Sequence, residues 1–345
     1  MTRRWIIAWL ALGSLVTGVR AAATGDTPAL QRFAFTEPHM GTLFQIVLFA
    51  PEASAAQAAA SAAFARIAEL NRLFSDYDPD SEVSRLSRAP VGTPVKISPE
   101  LAELLQRSQT VARQSEGAFD VTLGPMVRQW REARKTGLLP DPTAREEARQ
   151  ATGHRYLQLD PVTSTVVLAR AGMRIDLGGI AKGYAADEAL AVMKRRGLPR
   201  AMVAASGDLA LGDPPPGKSG WTVEIAPFGR ASDIPLTLVV ANAGISTSGD
   251  TEQAVEIGGV RYSHIVDPAT GLGLTKPVAV SVIARDATTS DALATACSVA
   301  DGLVIERLIA AQTDAVRILH HQPRSDGSVE RTLYGRDPAG LVSRL

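Results

Sequence analysis

Short β-like runs constrain the fold of this chain more than any other feature of its sequence. From Tyr156 onward, β-branched and other apolar residues cluster in the segments YLQLD, TVVLA, MRIDL, AMVAA, WTVEIA, LTLVVA, SHIVD and VAVSVIA. Long helical patterns interrupt this series at only two places, from Ile180 and from about Ser290 through Leu308. Strands and helices are interleaved, but the strands outnumber the helices, so the sequence predicts an α+β fold with a mixed or antiparallel sheet and flanking helices.

The first third of the chain adds a hairpin and several helices to this prediction. The stretch Phe33–Ala50 predicts two strands joined around the MGT sequence that begins at Met40, and an alanine-rich stretch predicts a helix from about Ala53 to Phe74. The segment SDYDPDSEVSRLSR has the composition of a polar loop. Ser98 followed by proline predicts a helix start, and TARE predicts a capping box that opens a further short helix.

Length and composition favour one domain after a targeting segment. Of the 345 residues, 45% are hydrophobic, which is enough to bury a sizeable core. The sequence has no internal repeat, low-complexity tract or Pro/Gly/Ser-rich linker, so we expect a single compact domain over residues 24–345. The 36 basic and 36 acidic side chains balance, and aromatic residues are few, which argues against a nucleic-acid-binding protein.

Residues 1–23 have the pattern of a secretory signal peptide. Two arginines precede an apolar run from Trp5 to Val16, and small residues follow, so the sequence predicts cleavage after Ala21 or Ala23. The apolar run is shorter than the roughly 20 residues that cross a bilayer. The single cysteine is Cys297, far from the cleavage site, so no lipid-attachment cysteine is present there. We therefore expect an exported, periplasmic, soluble protein without stable membrane insertion.

The segment RIDLGGIAKGYAADEAL is the first candidate for chemistry. It places Asp176, the glycine pair Gly178 and Gly179, and Lys182 at the start of a predicted helix. A helix N-terminus offers free N–H groups and a partial positive charge, so this arrangement suits a phosphate or a metal. It matches neither the P-loop nor the dinucleotide-binding pattern. A tight strand-to-helix turn without a ligand explains it equally well.

The segment TTSDALATACSVAD is the second candidate. If Thr289 or Ser290 caps the helix, Asp291 lies in its first turn and Thr295 follows four residues later on the same face. A carboxylate and a hydroxyl arranged in this way can both contact a hard cation such as Mg²⁺. The alternative is that Asp291 only stabilises the helix N-terminus through its charge.

Four further segments carry residues that are unusual for plain structure. Ser-Gly-Asp occurs at the end of two β-like runs, at Ser206–Asp208 and Ser248–Asp250, and Gly117–Pro125 combines turn, aromatic and acidic residues. Small residues at such positions let backbone approach a ligand, although ordinary turns use them as well. His264 lies in a β-like run that leads into a turn, where functional side chains are often found. A structural histidine remains the alternative.

Eight segments, taken in order, resemble the ApbE family. They are PHMGT, LFSDYDPDSEVSRL, GAFDVTLGPMVRQW, DLGGIAKGYAAD, ASGDLALG, ISTSGD, HIVDPATG and TSDALATA, and they extend over roughly Phe33 to Leu308. The resemblance implies a FAD:protein FMN transferase. Such an enzyme uses Mg²⁺ to split the pyrophosphate of FAD and joins the FMN half to a threonine or serine of a target flavoprotein, and AMP leaves. It also implies that the target belongs to an electron-transport or reductase complex.

The resemblance also implies roles for particular residues. It places the metal between Asp291, Thr295 and the backbone oxygen near Gly179, and it makes His264 the base that deprotonates the acceptor hydroxyl. An imidazole suits that role because its ordinary pKa lies near neutral pH. The residues that it assigns to flavin and adenosine contacts are Met40, Tyr77, Ala118, Phe119, Asp120, Asp176, Lys182 and Ile265.

The sequence departs from the family at two places, and it also allows two alternative functions. Some relatives carry Glu where this chain has Lys182, so that residue either contacts phosphate or is structural. The stretch after Ser248–Asp250 reads TEQAVEIGGVRYSHI, whereas many relatives carry an aromatic residue and an arginine at that place. The same site would also serve a Mg²⁺-dependent FAD pyrophosphatase that releases FMN and AMP. An exported FAD-binding protein without turnover is the other alternative.

Overall fold

A computed structural model describes residues 29–226, 228, 235–249, 254–312, 316–323 and 328–335. The signal peptide predicted for residues 1–23 and Asp250 of the second Ser-Gly-Asp run lie outside the described residues. The strands within the described residues are β1 Gln31–His39, β2 Thr42–Ala50, β3 Val95–Lys96, β4 Leu157–Asp160, β5 Thr165–Leu168, β6 Ala201–Ala205, β7 Asp208–Leu211, β8 Trp221–Ile225, β9 Leu236–Val240, β10 Ala243–Gly249, β11 Val255–Ile257, β12 Val260–Tyr262, β13 Ala279–Ala284, β14 Arg317–Pro323 and β15 Val329–Tyr334. The helices are α1 Ala53–Phe74, α2 Glu82–Ser87, α3 Pro99–Gln114, α4 Gly124–Thr136, α5 Pro142–Gln150, α6 Ala181–Arg195, α7 Ala287–Val299 and α8 Gly302–Ala310.

An eight-stranded sheet organises these elements. Its strand order is β1-β2-β6-β7-β10-β13-β14-β15, and every neighbouring pair is antiparallel. Small sheets β3-β5-β4, β8-β9 and β11-β12 accompany it. The predicted α+β class with flanking helices is therefore confirmed, and of the two sheet types that the sequence allowed, the sheet is antiparallel.

The two faces of the large sheet are covered by different elements. Successive side chains of a strand point to opposite faces, and β2 shows this directly. Its residues Phe44, Ile46 and Leu48 belong to the main core with α1, α6 and α7, whereas Val47 packs with Trp221 of the β8–β9 ribbon. On the first face, the N-terminal parts of α6 and α7 and their acidic residues lie close together.

Local chemistry explains the first hairpin. Met40 and Gly41 form a two-residue turn between β1 and β2, and both have positive φ, at 48° and 73°. A two-residue turn of this kind matches the twist of the paired strands and favours glycine at its second position. The predicted hairpin and the predicted helix from Ala53 to Phe74 are confirmed.

Two predicted strands are wrong. In MRIDL, Met173 and Ile175 are buried, but the segment makes only one isolated bridge, between Arg174 and Leu123. In SHIVD, backbone hydrogen bonds to the chain around Leu274 extend over only a few residues. They end there because a tight turn begins at Asp267. Both segments are extended without a long partner strand, and a sequence pattern does not reveal whether a partner is present.

Three helix boundaries also differ from the prediction, and each difference has a capping residue as its cause. Ser81 caps α2 inside the segment predicted to be a loop, and its Oγ accepts from the Ser84 N–H. Asp141, not the threonine of TARE, caps α5. Asp301 caps α8 and so divides the long helix predicted through Leu308 into α7 and α8. Among the helices of the described residues, none has the length and hydropathy required to cross a membrane.

Candidate functional site

The contact between α6 and α7 brings the two candidate segments together. An added Cβ atom on Gly179 would lie 2.9 Å from Thr295 Oγ1 and 3.3 Å from Phe119 Cε2. An added Cβ atom on Gly183 would lie 2.9 Å from the Cβ atom of Asp291. The two glycines, four residues apart, therefore face Thr295 and Asp291, which are also four residues apart.

Asp291 is buried in this contact and its side chain is 4% exposed. Its Oδ2 atom accepts a hydrogen bond of 3.0 Å from the backbone N–H of Gly183, near the start of α6. The first four N–H groups of a helix have no partner within that helix, so Asp291 satisfies one of them from a neighbouring helix. The residue that caps α7 itself is Asp286, whose side chain accepts from the Thr289 N–H at 2.7 Å.

The prediction that Thr289 or Ser290 caps α7 is therefore wrong. The helix begins earlier, at Ala287, because Asp286 caps it. Asp291 consequently lies beyond the first turn, which contains no acidic residue. The alternative in which Asp291 serves only its own helix N-terminus does not fit this position, whereas the shared face of Asp291 and Thr295 is retained.

The residues around this contact fit a hard cation such as magnesium. Within the described part of the chain, neither Asp291 Oδ1 nor Thr295 Oγ1 receives or makes a hydrogen bond, so both oxygens are available. The Gly179 backbone lies directly against Thr295, where any larger side chain would fill the space. Carboxylate, hydroxyl and carbonyl oxygens are the donors that Mg²⁺ takes from proteins. The described residues contain no cluster of three or more His, Cys, Asp or Glu side chains able to hold a metal.

Lys182 forms a buried charge cluster beside Asp291. Its Nζ atom lies 2.6 Å from Asp208 Oδ2 and 3.7 Å from Asp291 Oδ2. Burial alone would lower the pKa of Lys182, but the charges of Asp208 and Asp291 outweigh it and raise that pKa above its ordinary value. Burial and the neighbouring Asp208 charge also raise the pKa of the Asp291 carboxyl.

Asp208 was not among the predicted site residues. The sequence singled out its Ser-Gly-Asp run, and that run forms the β6–β7 turn, with Ser206 at a φ of 59°. The turn directs Asp208 towards α6, where it binds Lys182. The Ser-Gly-Asp motif therefore pointed to Asp208, but the sequence did not show that Lys182 is its partner.

A second cluster connects two predicted flavin-binding residues through an arginine that the sequence did not single out. Arg131 of α4 donates to Asp176 Oδ2 at 2.7 Å and to Asp76, and its guanidinium lies 4.2 Å from the centre of the Tyr77 ring. Tyr77 is 76% exposed. The other Asp176 oxygen accepts from the Gly178 N–H at 2.8 Å. Asp176 thereby ties Arg131 to the glycine turn, and burial and the Asp76 charge raise its pKa.

The loop containing Ala118, Phe119 and Asp120 lies between α3 and α4. Phe119 is buried against Gly179, which places it beside the candidate metal site. The Asp120 carboxylate accepts from the Thr122 N–H and hydroxyl and from the His154 N–H, so it organises the loop. Contacts of this loop with a flavin stay a prediction.

The remaining predicted residues stand on other elements. Met40 forms the β1–β2 turn and packs partly against the main core. His264 is half-buried and Ile265 is buried in the loop after β12, where the Trp130 side chain donates to the Ser263 carbonyl at 2.9 Å. The roles assigned to Met40, His264 and Ile265 stay predictions, because nothing in this geometry tests them.

Comparison with known proteins agrees with the fold. The sequence matches the ApbE family over residues 40–319. It is 33% identical to a FAD:protein FMN transferase of Treponema pallidum over 80% of each chain, and 30% identical to one of Klebsiella pneumoniae over 80% of this chain and 81% of the relative. The structure resembles the flavin transferase ApbE from Vibrio cholerae, with a TM-score of 0.78, 26% identity and coverage of 89% of this chain and 97% of the other. It also resembles the ApbE protein of Thermotoga maritima, with a TM-score of 0.76, 29% identity and coverage of 88% and 97%. This chain belongs to the ApbE family.

Proposed function

We propose that this protein is a Mg²⁺-dependent FAD:protein FMN transferase. Its substrates are FAD and a target flavoprotein, and the products are AMP and a protein that carries FMN on a threonine or serine through a phosphoester. The names of the relatives support this activity. The observation within the molecule that supports the proposal is the α6–α7 contact, which brings Asp291 and Thr295 against the segment from Gly179 to Gly183.

The donor set suits pyrophosphate chemistry. Asp291, Thr295 and the backbone oxygen of Gly179 would hold Mg²⁺. When bound, the ion supplies positive charge that offsets the negative charge of the phosphoryl oxygens during transfer. The adjacent start of α6 contributes the positive end of the helix dipole. Lys182 is held by Asp208, which places it as a charge partner of the site's carboxylates.

Bond changes in the proposed reaction balance without a further reactant. The hydroxyl oxygen of the acceptor residue forms a bond to the phosphorus of the FMN half. The bond between that phosphorus and the bridging oxygen breaks, and AMP leaves with the bridging oxygen and its electron pair. His264 accepts the hydroxyl proton, a role that suits a neutral imidazole.

The proposed flavin contacts extend from this centre. Phe119 lies against Gly179, and Tyr77 presents an exposed ring whose partner is Arg131. An exposed aromatic ring is suited to stacking on the planar flavin or adenine group. We also propose that the mature protein is exported to the periplasm, where its target belongs to an electron-transport or reductase complex.

Product analysis tests the proposed activity directly. Purified protein is incubated with FAD, MgCl₂ and an apo flavoprotein domain, with a second sample in which the acceptor threonine is replaced by alanine. Transfer predicts AMP release, in-gel flavin fluorescence and a mass increase of one FMN, all confined to the acceptor that retains its threonine.

The two alternatives give different products in the same experiment. A FAD pyrophosphatase would release AMP and free FMN with either acceptor and leave both domains unlabelled. A carrier without turnover would bind FAD and release no AMP. Either result contradicts the proposed transfer.

A further inference from the structure

The two helices of the site cap each other. Near the start of α6, the Gly183 N–H donates to Asp291 of α7 at 3.0 Å. At the start of α7, the Ala287 and Thr288 N–H groups donate to Asp187 of α6 at 2.9 and 2.8 Å. Each helix therefore supplies a carboxylate to N–H groups that the other helix leaves without an internal partner.

Asp187 makes a third hydrogen bond in addition to these two. The Thr288 hydroxyl donates to Asp187 Oδ2 at 2.6 Å. Three donors on one carboxylate fix both the position and the rotation of the first turn of α7, because the hydrogen bonds approach from different atoms. A carboxylate that accepts several hydrogen bonds holds its donors in one orientation, which van der Waals contact alone does not.

The spacing of these contacts relates Asp187 to the metal-binding pair. Gly183 and Asp187 lie four residues apart on one face of α6, and Gly179 lies just before the start of that helix. From Gly179 to Asp187, each successive residue contacts α7 nearer to the N-terminus of that helix. Gly179 meets Thr295, Gly183 meets Asp291 and Ala287, and Asp187 meets Ala287 and Thr288. The Asp187 contact is therefore the last of a series that begins at the candidate metal site.

We propose that Asp187 is a positioning residue for the metal-binding pair, a role that rests on the proposed function. By fixing the start of α7 on α6, Asp187 sets the register in which Asp291 and Thr295 face Gly179. Asp187 does not itself touch either residue. Its loss leaves the α7 cap in place, because Asp286 still accepts from Thr289 and pairs with Arg107 of α3. The helix therefore stays formed while its position on α6 becomes less well defined.

Thermal unfolding as a function of MgCl₂ concentration tests this role without measuring activity. In the wild-type protein, Mg²⁺ that binds only the folded state raises the unfolding temperature. Asp187→Asn keeps the shape of the side chain but replaces one acceptor oxygen by an NH₂ group that faces the helix donors. We expect the Mg²⁺ concentration that gives half of the rise to increase about 10- to 100-fold, as for other residues that orient metal ligands.

Asp141→Asn is the matched control. Asp141 likewise accepts from two backbone N–H groups at a helix start, those of Thr143 and Ala144 on α5. Asparagine caps helices about as well as aspartate, so this variant should change the unfolding temperature little and leave the half-effect concentration unchanged. An Asp187→Asn protein with the wild-type half-effect concentration would show that Asp187 is merely structural and overturn the inference.

A milder variant keeps the test decisive if Asp187→Asn does not fold. Thr288→Val removes only the hydroxyl hydrogen bond to Asp187, and we expect an increase of about fivefold in the half-effect concentration, the scale of one hydrogen bond. No change in Thr288→Val would overturn the inference. A wild-type protein that gives no response to MgCl₂ would instead overturn the metal requirement of the proposed function.

Discussion

Gly183→Ala places two opposing effects in direct competition. Alanine is the better helix former, and in a free helix this substitution stabilises by about 1 kcal/mol. In this structure the added Cβ atom would lie 2.7 Å from the Ala287 carbonyl carbon, 2.9 Å from the Asp291 Cβ atom, and nearer still to the Ala287 carbonyl oxygen. Two of the three contacted atoms are backbone atoms, so no side-chain rotation relieves the contact.

The packing effect should prevail. Ordinary carbon contacts lie at about 3.5–4.0 Å, so α7 must move away from α6 by roughly 1 Å. Overpacking of this kind costs about 1–3 kcal/mol, occasionally more. Because the contacts are with backbone atoms, the cost should lie in the upper part of this range, at about 2–3 kcal/mol. After the gain of about 1 kcal/mol in helix propensity is subtracted, we expect a net loss of about 1–2 kcal/mol in the free energy of unfolding. The movement also displaces Asp291, so the response to Mg²⁺ should weaken.

Urea unfolding followed by circular dichroism measures the loss. Gly302→Ala is the control, since Gly302 starts α8 and an added Cβ atom would meet only the Tyr334 side-chain hydroxyl, at 3.3 Å. Its stability should change by less than about 0.5 kcal/mol. If Gly183→Ala proves as stable as the wild type, or more stable, the contact between α6 and α7 is looser than in this structure and the expected packing cost is wrong.

Three further predictions address the site and the core. Asp291→Ala should abolish both Mg²⁺-dependent turnover and the Mg²⁺-dependent rise in unfolding temperature, and Thr295→Ala should weaken both; full activity of Asp291→Ala would place the metal elsewhere. His264→Ala should reduce transfer by about 10²- to 10⁴-fold while FAD affinity measured by calorimetry is retained, and near-normal transfer would remove His264 from the mechanism. Burial raises the pKa of the Cys297 thiol to about 12, so at pH 8 it should not react with a thiol reagent until the protein is unfolded. Rapid labelling of the folded protein would contradict its buried position.

Features that depend on neighbouring residues in the sequence could be predicted well. The β1–β2 hairpin follows from a turn that needs positive φ at Met40 and Gly41, and α1 follows from the periodic apolar positions between Ala53 and Phe74. The errors at α2 and at the α7–α8 break arose where one polar residue acts as a helix cap. Ser81 and Asp301 resemble loop or helix-surface residues until the backbone around them is known.

Features that depend on distant partners could not be predicted from one sequence. The shared face of Asp291 and Thr295 follows from helical spacing, so the sequence supplied it. Asp208 lies 26 residues from Lys182, and Arg131 lies 45 residues from Asp176. A sequence shows that these are charged residues, but only the sheet order and helix packing determine which charges meet.

Close packing at the α6–α7 contact restricts how this protein can change during evolution. The atoms of Gly183 and Asp291 that hold the helices together are also atoms that set the candidate metal site. A substitution on one helix is therefore acceptable only against a particular residue on the other, which is epistasis with a steric origin. Efforts to alter acceptor preference by mutagenesis should therefore leave this pair of helices intact.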